Sequence, residues 1–407
     1  MHGLKWYLRQ AYGPQASFRD GQKEAIKAVL RGQKTLLVER TGWGKSLVYF
    51  LSAKILRDQG KGPCFIISPL LALMRNQMEE AKRFGLRAET INSNNKSDWA
   101  SIYKKMGRNE IDVLFISPER LANNDFLERV LGILHENISM LVIDEAHCIS
   151  DWGHDFRPDY LRIVKIVQLL PSNVPLLATT ATANDRVIKD IQQQFRNDLH
   201  VLRGPLARES LHIQILQGLH KKEERMAWLA ENLPNLPGTG IIYCLTTSDC
   251  EMVARWLQSR GLAAAAYHAG RTDRHELEDD FFHNRLKALV ATVALGMGVD
   301  KSDIRFIVHF QMPANIIAYY QQIGRAGRDG HDAYAFLMMG DEDDVINQYF
   351  IRSAFPQENE TQQLLQVLDN AEDGLKKTEI MEALNLSEMK IEQILKLLQI
   401  GDFIYKV

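Results

Sequence analysis

The chain has 407 residues, 45% of them hydrophobic and 25% charged, which suits a folded protein of two or three domains rather than one core. No stretch approaches the roughly 20 apolar residues that a membrane span requires, and the first ten residues carry Lys5 and Arg9 but no apolar core of signal-peptide length, so a cytoplasmic, nucleoid-associated location with no membrane partner is expected. A net charge of −2 excludes a polycation but not a nucleic-acid partner, because tracking phosphates needs only a local basic groove.

In chain order, short apolar runs rich in β-branched residues occupy residues 35–39, 64–68, 113–117, 140–144 and 176–180. Each is followed by a polar or amphipathic segment, and together they predict buried strands with intervening helices in a parallel α/β sheet. The first strand runs into Arg40-Thr41-Gly42-Trp43-Gly44-Lys45-Ser46, which opens a helix. Gly42 and Gly44 let backbone amides turn toward phosphate oxygens, and the helix N-terminus adds its partial positive charge. Lys45 is placed for the β- and γ-phosphates of ATP and Ser46 for magnesium. Glu39 stands where the full motif has glycine, and Arg40 follows it. The strand over 140–144 ends in Asp144-Glu145-Ala146-His147. A carboxylate at that strand end is where a magnesium partner belongs, with Asp144 on the ion and Glu145 orienting and deprotonating the attacking water.

A second set of strands is predicted over 240–244, 263–267, 288–291, 305–310 and 333–338. The join is expected within 202–217, with Gly204-Pro205 as the break. Beyond about Asp341 the pattern turns helical. A short helix over 378–384, a turn at 385–387 and a helix with Ile391, Ile394, Leu395 and Leu398 on one face precede an apolar strand over 403–405. With Ser387 as N-cap and Gly401 past the helix end, this predicts a winged helix cut short within its first wing strand.

From Asp144 to Pro158 the chain is very similar to the signature of the RecQ helicases of superfamily two, and further motifs extend the resemblance over roughly residues 15–340. It implies two tandem RecA-like parallel-sheet domains (1–204 and 205–342) followed by a small helical winged-helix domain (343–407). In that family the segment holding Trp152, His154, Phe156 and Arg157 is an aromatic-rich loop coupling single-stranded DNA to ATP hydrolysis, and its rings suit base stacking. Phe18, Arg19 and Gln22 resemble the segment that reads adenine. The segments at 68–73 and 117–121 resemble DNA-backbone motifs, Ser68 among their residues. Thr179-Thr180-Ala181-Thr182-Ala183 resembles the coupling motif, in which the Thr180 and Thr182 hydroxyls are expected to bond to the carboxylates at 144 and 145.

In the second unit, residues 240–244, 267–270, 290–300 and 321–330 resemble the family's motifs. Arg325 and Arg328 can point across a cleft to the γ-phosphate bound by the other unit, Arg328 as the finger with Arg325 helping and Gln321 sensing the same cleft. The resemblance implies an ATP- and Mg²⁺-dependent monomeric motor moving 3′ to 5′ on single-stranded and tailed or forked duplex DNA in repair or recombination. An RNA-stimulated helicase, or a nucleotide-dependent DNA-binding scaffold without productive unwinding, are the rival readings.

The chain departs from the family in one respect. RecQ proteins commonly carry a zinc subdomain held by four cysteines, whereas Cys64, Cys148, Cys244 and Cys250 form no CxxC pair and none follows Cys250. Free thiols, no zinc and an atypical branch of the family are expected.

Overall fold

A computed structural model of the chain describes residues 3–69, 71–122, 126, 132, 138–150, 163–164, 166–168, 170–171, 173–195, 199–205, 207–295, 301–354, 356–371, 374–384, 386–400 and 403–404. Two parallel sheets dominate. The first comprises β1 (Thr35–Val38), β2 (Cys64–Ile67), β3 (Ala88–Ile91), β4 (Val113–Ile116), β5 (Met140–Ile143), β6 (Leu176–Thr180) and β7 (His200–Arg203), in the order β3-β4-β2-β5-β6-β1-β7. The five central strands are buried throughout because helices cover both faces. Alternation sends Leu36 and Val38 into one apolar cluster and Leu37 into the other. Helices α1 (Leu4–Tyr12), α2 (Gln22–Leu30), α3 (Lys45–Asp58) and α4 (Leu71–Arg83) contribute to that packing.

The second sheet holds β8 (Leu211–Ile215), β9 (Thr239–Tyr243), β10 (Ala264–Tyr267), β11 (Ala288–Ala291), β12 (Ile304–His309) and β13 (Ala333–Leu337), in the order β10-β11-β9-β12-β13-β8. It too has a cluster on each face.

The expected join at 202–217 is narrower than its sequence suggests. β7 reaches Arg203 and β8 starts at Leu211, so only residues 204–210 lie between the sheets. Both strands were missed for one reason: they are edge strands, half or more exposed, and lack an apolar run. The half-buried edge strand β3 was missed likewise. Several strands also end one residue early, leaving Glu39, Ser68, Ser117 and Asp144 just past the ladder.

Among the described residues, four helices follow the second sheet: Asp343–Ala354, Glu358–Asp369, Lys377–Ala383 and Glu388–Ile400. The last three share a core of Leu364, Ile380, Leu384, Ile391, Ile394 and Leu398. Ser387 Oγ accepts from Lys390 N–H at 3.4 Å, as an N-cap does. The strand expected over 403–405 is not seen in its described part. Phe403 turns back to donate its N–H to Leu398 O at 2.9 Å, and Ile404 packs on the helical core.

Candidate nucleotide-binding cleft

The loop between β1 and α3 is shaped by two glycines in left-handed backbone, Gly42 at φ +80° and Gly44 at φ +94°, a region that costs other residues about 1–2 kcal/mol. A methyl group at Gly44 would stand 2.8 Å from Gln22 Nε2. Gln22 opens α2 and is 3% exposed; its Oε1 accepts from Arg19 N–H and its Nε2 donates to Trp43 O, both at 2.9 Å. The Arg19 guanidinium donates to Gly42 O, and Phe18 lies beside them, half-buried. The segment expected to read adenine therefore also braces the phosphate loop from behind.

Lys45 Nζ donates to Glu39 O at 2.8 Å and to Arg40 O at 3.3 Å. Burial lowers its pKa, while the charges of Glu145 and Asp144 pull it back. Ser46 follows on the first turn of α3. Glu39 is buried against Gly204, where any added Cβ would overlap its carboxylate. Burial raises the Glu39 pKa, opposed by Lys45 and Arg40.

Asp144 follows β5, next to β6, which in turn pairs with β1. Its buried carboxylate accepts from Thr179 Oγ1 at 2.6 Å, Gln77 Nε2 at 2.9 Å and Glu145 N–H at 3.1 Å. Burial raises its pKa and the Glu145 charge adds to the rise, whereas Thr179, Gln77 and Lys45 hold it down. Glu145 itself sits at φ 52°, ψ 47°, which for a non-glycine residue stores roughly 1–3 kcal/mol of strain. Buried His147 stands behind it, with Nδ1 3.2 Å from Glu145 Oε2 and 3.0 Å from Thr180 Oγ1.

The expected bond from Thr180 to the carboxylates is thus corrected by one residue. β5 and β6 pair Ile143 with Ala178, so the next position places Asp144 opposite Thr179. Thr180 is turned to His147, and the Thr182 hydroxyl accepts from Gln321 Nε2 of the second unit at a long 3.4 Å. Gln77 went unnoticed in the sequence. It lies on the buried face of α4 with Met74 and Ala81, and a polar group on such a stripe needs a partner, which was the available signal. Here the partners are Asp144 and Tyr49, whose hydroxyl lies 2.9 Å away.

Across the cleft, the turn after the helix Ile316–Ile323 carries both arginines. A methyl group at Gly42 would stand 3.2 Å from Arg328 Cγ, so this side chain lies directly over the phosphate loop. Thr41 meets the same turn at Gly324. A cavity of about 200 Å³ opens here, lined by Arg19, Arg40, Thr41 and Gly42 on one side and Arg208 and Arg328 on the other. Arg325 is buried instead, and its charge and that of Arg328 both oppose the burial that raises the Tyr243 pKa. Ser68 is buried at the end of β2, its N–H on Ile116 O at 3.1 Å. Trp152, His154, Phe156 and Arg157 lie outside the described residues. Among those described, no group of three or more His, Cys, Asp or Glu could hold a metal ion, and no helix is long and apolar enough to cross a membrane.

A phosphate loop and a strand-end carboxylate pair on one RecA-like sheet, faced by an arginine turn on a second, define the core of a superfamily-two helicase. The DEAD/DEAH box helicase family matches residues 19–191 and the helicase conserved C-terminal domain matches residues 205–330. Within that class the chain belongs to the RecQ-like helicases. It is 35% identical over 384 residues to the probable ATP-dependent DNA helicase RecS of Bacillus subtilis, covering 92% of this chain and 74% of that one. It is 37% identical over 334 residues to the ATP-dependent DNA helicase RecQ of Haemophilus influenzae, covering 81% of this chain and 52% of the relative, about half its length. The Mycobacterium smegmatis helicase Lhr, solved with single-stranded DNA and AMP-PNP, shares the fold with a TM-score of 0.65 at 18% identity, covering 96% of this chain and 57% of the other.

Proposed function

We propose that the chain is an ATP-driven motor, acting as a monomer, that moves 3′ to 5′ along single-stranded DNA and separates tailed or forked duplex in repair or recombination. The observation that carries this is the seating of Arg328, on the second unit, over Gly42 of the phosphate loop on the first. A pocket completed by two bodies gives ATP a reason to draw them together and hydrolysis a reason to let them part. Residues 1–204 and 205–342 are the two bodies in this reading, and 343–407 form an appended helical unit of winged-helix kind.

The carboxylate of Asp144 and the hydroxyl of Ser46 are hard oxygen donors of the kind magnesium takes, and the charge of Lys45 helps keep the carboxylate ionised in its buried position. When bound there, the ion supplies charge neutralisation on the β- and γ-phosphates. Phe18, Arg19 and Gln22 hold the adenine end, and Thr41, Gly42, Gly44 and Lys45 the phosphates. Glu145, braced by His147, orients the attacking water and accepts its proton. Arg328 meets the charge developing on the γ-phosphate, Arg325 supports it from beside Tyr243, and Gln321 reads closure through Thr182. On the DNA side, Trp152 and Phe156 stack bases at about 1–3 kcal/mol each, His154 and Arg157 hold the strand, and Ser68, Thr180 and Thr182 couple grip to hydrolysis.

Glu145→Gln tests this directly. The variant should bind an ATP analogue as the parent does but hydrolyse ATP about 10²-fold slower or worse with single-stranded DNA present. Hydrolysis at the parental rate would refute the assignment. Matched DNA and RNA oligonucleotides decide the substrate, since stronger stimulation by RNA would overturn DNA. Duplexes with 3′ tails, 5′ tails or forks decide polarity and unwinding.

A further inference from the structure

Just before β8 the chain runs along the mouth of the cleft, where Arg208 turns its guanidinium onto the arginine-bearing turn. Its Nη1 donates to Ala326 O at 2.7 Å and its Nη2 to Ile323 O at 3.2 Å. Ile323 is the last residue of its helix; its carbonyl accepts from Ala326 N–H at 3.1 Å and, at the negative end of the helix, favours a cation on its second lone pair. The two acceptors lie two and five residues ahead of Arg328. Between them and Arg328 stands Gly327 at φ +61°, where a methyl group would meet His331 O at 2.9 Å and Ala333 Cβ at 3.0 Å.

The same stretch is also tied to the phosphate loop. Arg40 Nη1 donates to Ala207 O at 3.4 Å, and Ser210 O accepts from Ala333 N–H at 2.8 Å, which fixes Arg208 against the second sheet. Arg19, Arg40, Arg208 and Arg328 line one cavity, and the carboxylate of Asp329, also among its described lining residues, pairs with Arg305. Gathering four guanidinium groups costs energy that specific contacts or a bound anion must offset.

We infer that Arg208 is a positioning residue of the hydrolysis reaction, its forked pair of bonds to Ile323 and Ala326 holding the turn that presents Arg328 to the phosphate loop. The inference rests on the proposed role of Arg328. Lysine in this place keeps the charge but lacks the planar fork that reaches two carbonyls at once.

The test is steady-state ATP hydrolysis with saturating single-stranded DNA, by the 407-residue chain and its Arg208→Ala, Arg208→Lys, Arg328→Ala and Arg208→Ala/Arg328→Ala variants. Arg208→Ala and Arg208→Lys should each lower kcat about 10- to 100-fold, as misplacing a reacting group by about 1 Å does. KM for ATP and the affinity for a non-hydrolysable ATP analogue should stay within about two-fold, a split that general destabilisation would not produce. The double variant should be no slower than Arg328→Ala alone, because the two act as a unit. Parental kcat in Arg208→Lys, a raised KM with kcat kept, or additive losses in the double variant would each overturn the inference. Should Arg208→Ala fail to fold, Arg208→Lys decides by itself. Parental kcat in Arg328→Ala would remove the finger reading and this inference with it; a slow Arg328→Ala beside normal Arg208 variants would remove the inference alone.

Discussion

Arg225→Met should unfold the second motor unit at a markedly lower temperature, and the size of the loss follows from what the side chain touches. Arg225 lies in the helix Lys222–Asn232 and is fully buried. Its Nη1 donates to Phe310 O and its Nη2 to Glu342 Oε1, both at 2.6 Å, with its guanidinium carbon 4.5 Å from the centre of the Phe310 ring. Asp343 Oδ1, on a side chain 3% exposed, is 3.8 Å from Nη1. Methionine fills the stem but leaves the carbonyl and the Asp343 carboxylate without their cation. Breaking a buried pair this way costs about 3–5 kcal/mol, and because Glu342 can rehydrate we take the lower half, about 3–4 kcal/mol, as the expectation. For a unit of this size that is roughly 6–15 °C in Tm.

Thermal unfolding followed by circular dichroism measures it. The pH dependence gives a second check. Burial acts to raise the Glu342 pKa, but the bond and charge of Arg225 hold it below its ordinary value of 4.5. A group held down contributes stability above its unfolded pKa that is lost as pH falls through the folded one. The gap between parent and variant should therefore narrow below pH 4.5. A Tm loss under about 3 °C at pH 7 would show that the guanidinium is solvated and the anchor worth little.

Three other perturbations follow from the same geometry. Thr179→Val removes the 2.6 Å bond to Asp144, a charge-assisted bond worth about 1.5–3 kcal/mol, and should lower DNA-stimulated kcat more than Thr180→Val does; the reverse ranking would refute the register argument. His309 is buried with Nε2 2.7 Å from Gln322 Oε1, and burial pulls its pKa from 6.5 down to about 4. It folds neutral, so stability should fall by up to about 3 kcal/mol as pH drops from 6.5 toward 4. His309→Asn should flatten that slope in a series of thermal melts, and an equally steep slope would exclude His309 as its source. Gly204→Ala should cost about 1–3 kcal/mol by overlap with the Glu39 carboxylate. Shortening the partner with Glu39→Ala should recover most of the lost Tm, and no recovery would mean the strain lies elsewhere.

Much of the molecule could be read from local pattern alone. Short apolar runs mark the central strands of the first sheet because those strands are buried on both faces. Gly42, Gly44 and Lys45 announce a phosphate loop because the turn they make depends only on their own backbone and the strand and helix beside them. Asp144 and Glu145 stand out for the same reason, at the end of an apolar run.

What escaped the sequence depends on partners far along the chain. The edge strands β3, β7 and β8 carry no apolar signature, since only pairing with a neighbour makes them strands. That Thr179 rather than Thr180 meets Asp144 follows from the β5–β6 register, a relation between segments that neither encodes by itself. Gln77 meets Asp144 across 67 residues and Arg208 reaches Ala326 across 118. By itself the sequence determined the two sheets, the phosphate loop and the carboxylate pair, because short-range periodicity and backbone freedom suffice for them. Only the tertiary structure decided which hydroxyl holds Asp144, that Arg328 lies over Gly42, and that Arg208 braces its turn, because these contacts join segments far apart in the chain: the first through strand register, the second across two facing sheets, the third between the stretch before β8 and the arginine turn.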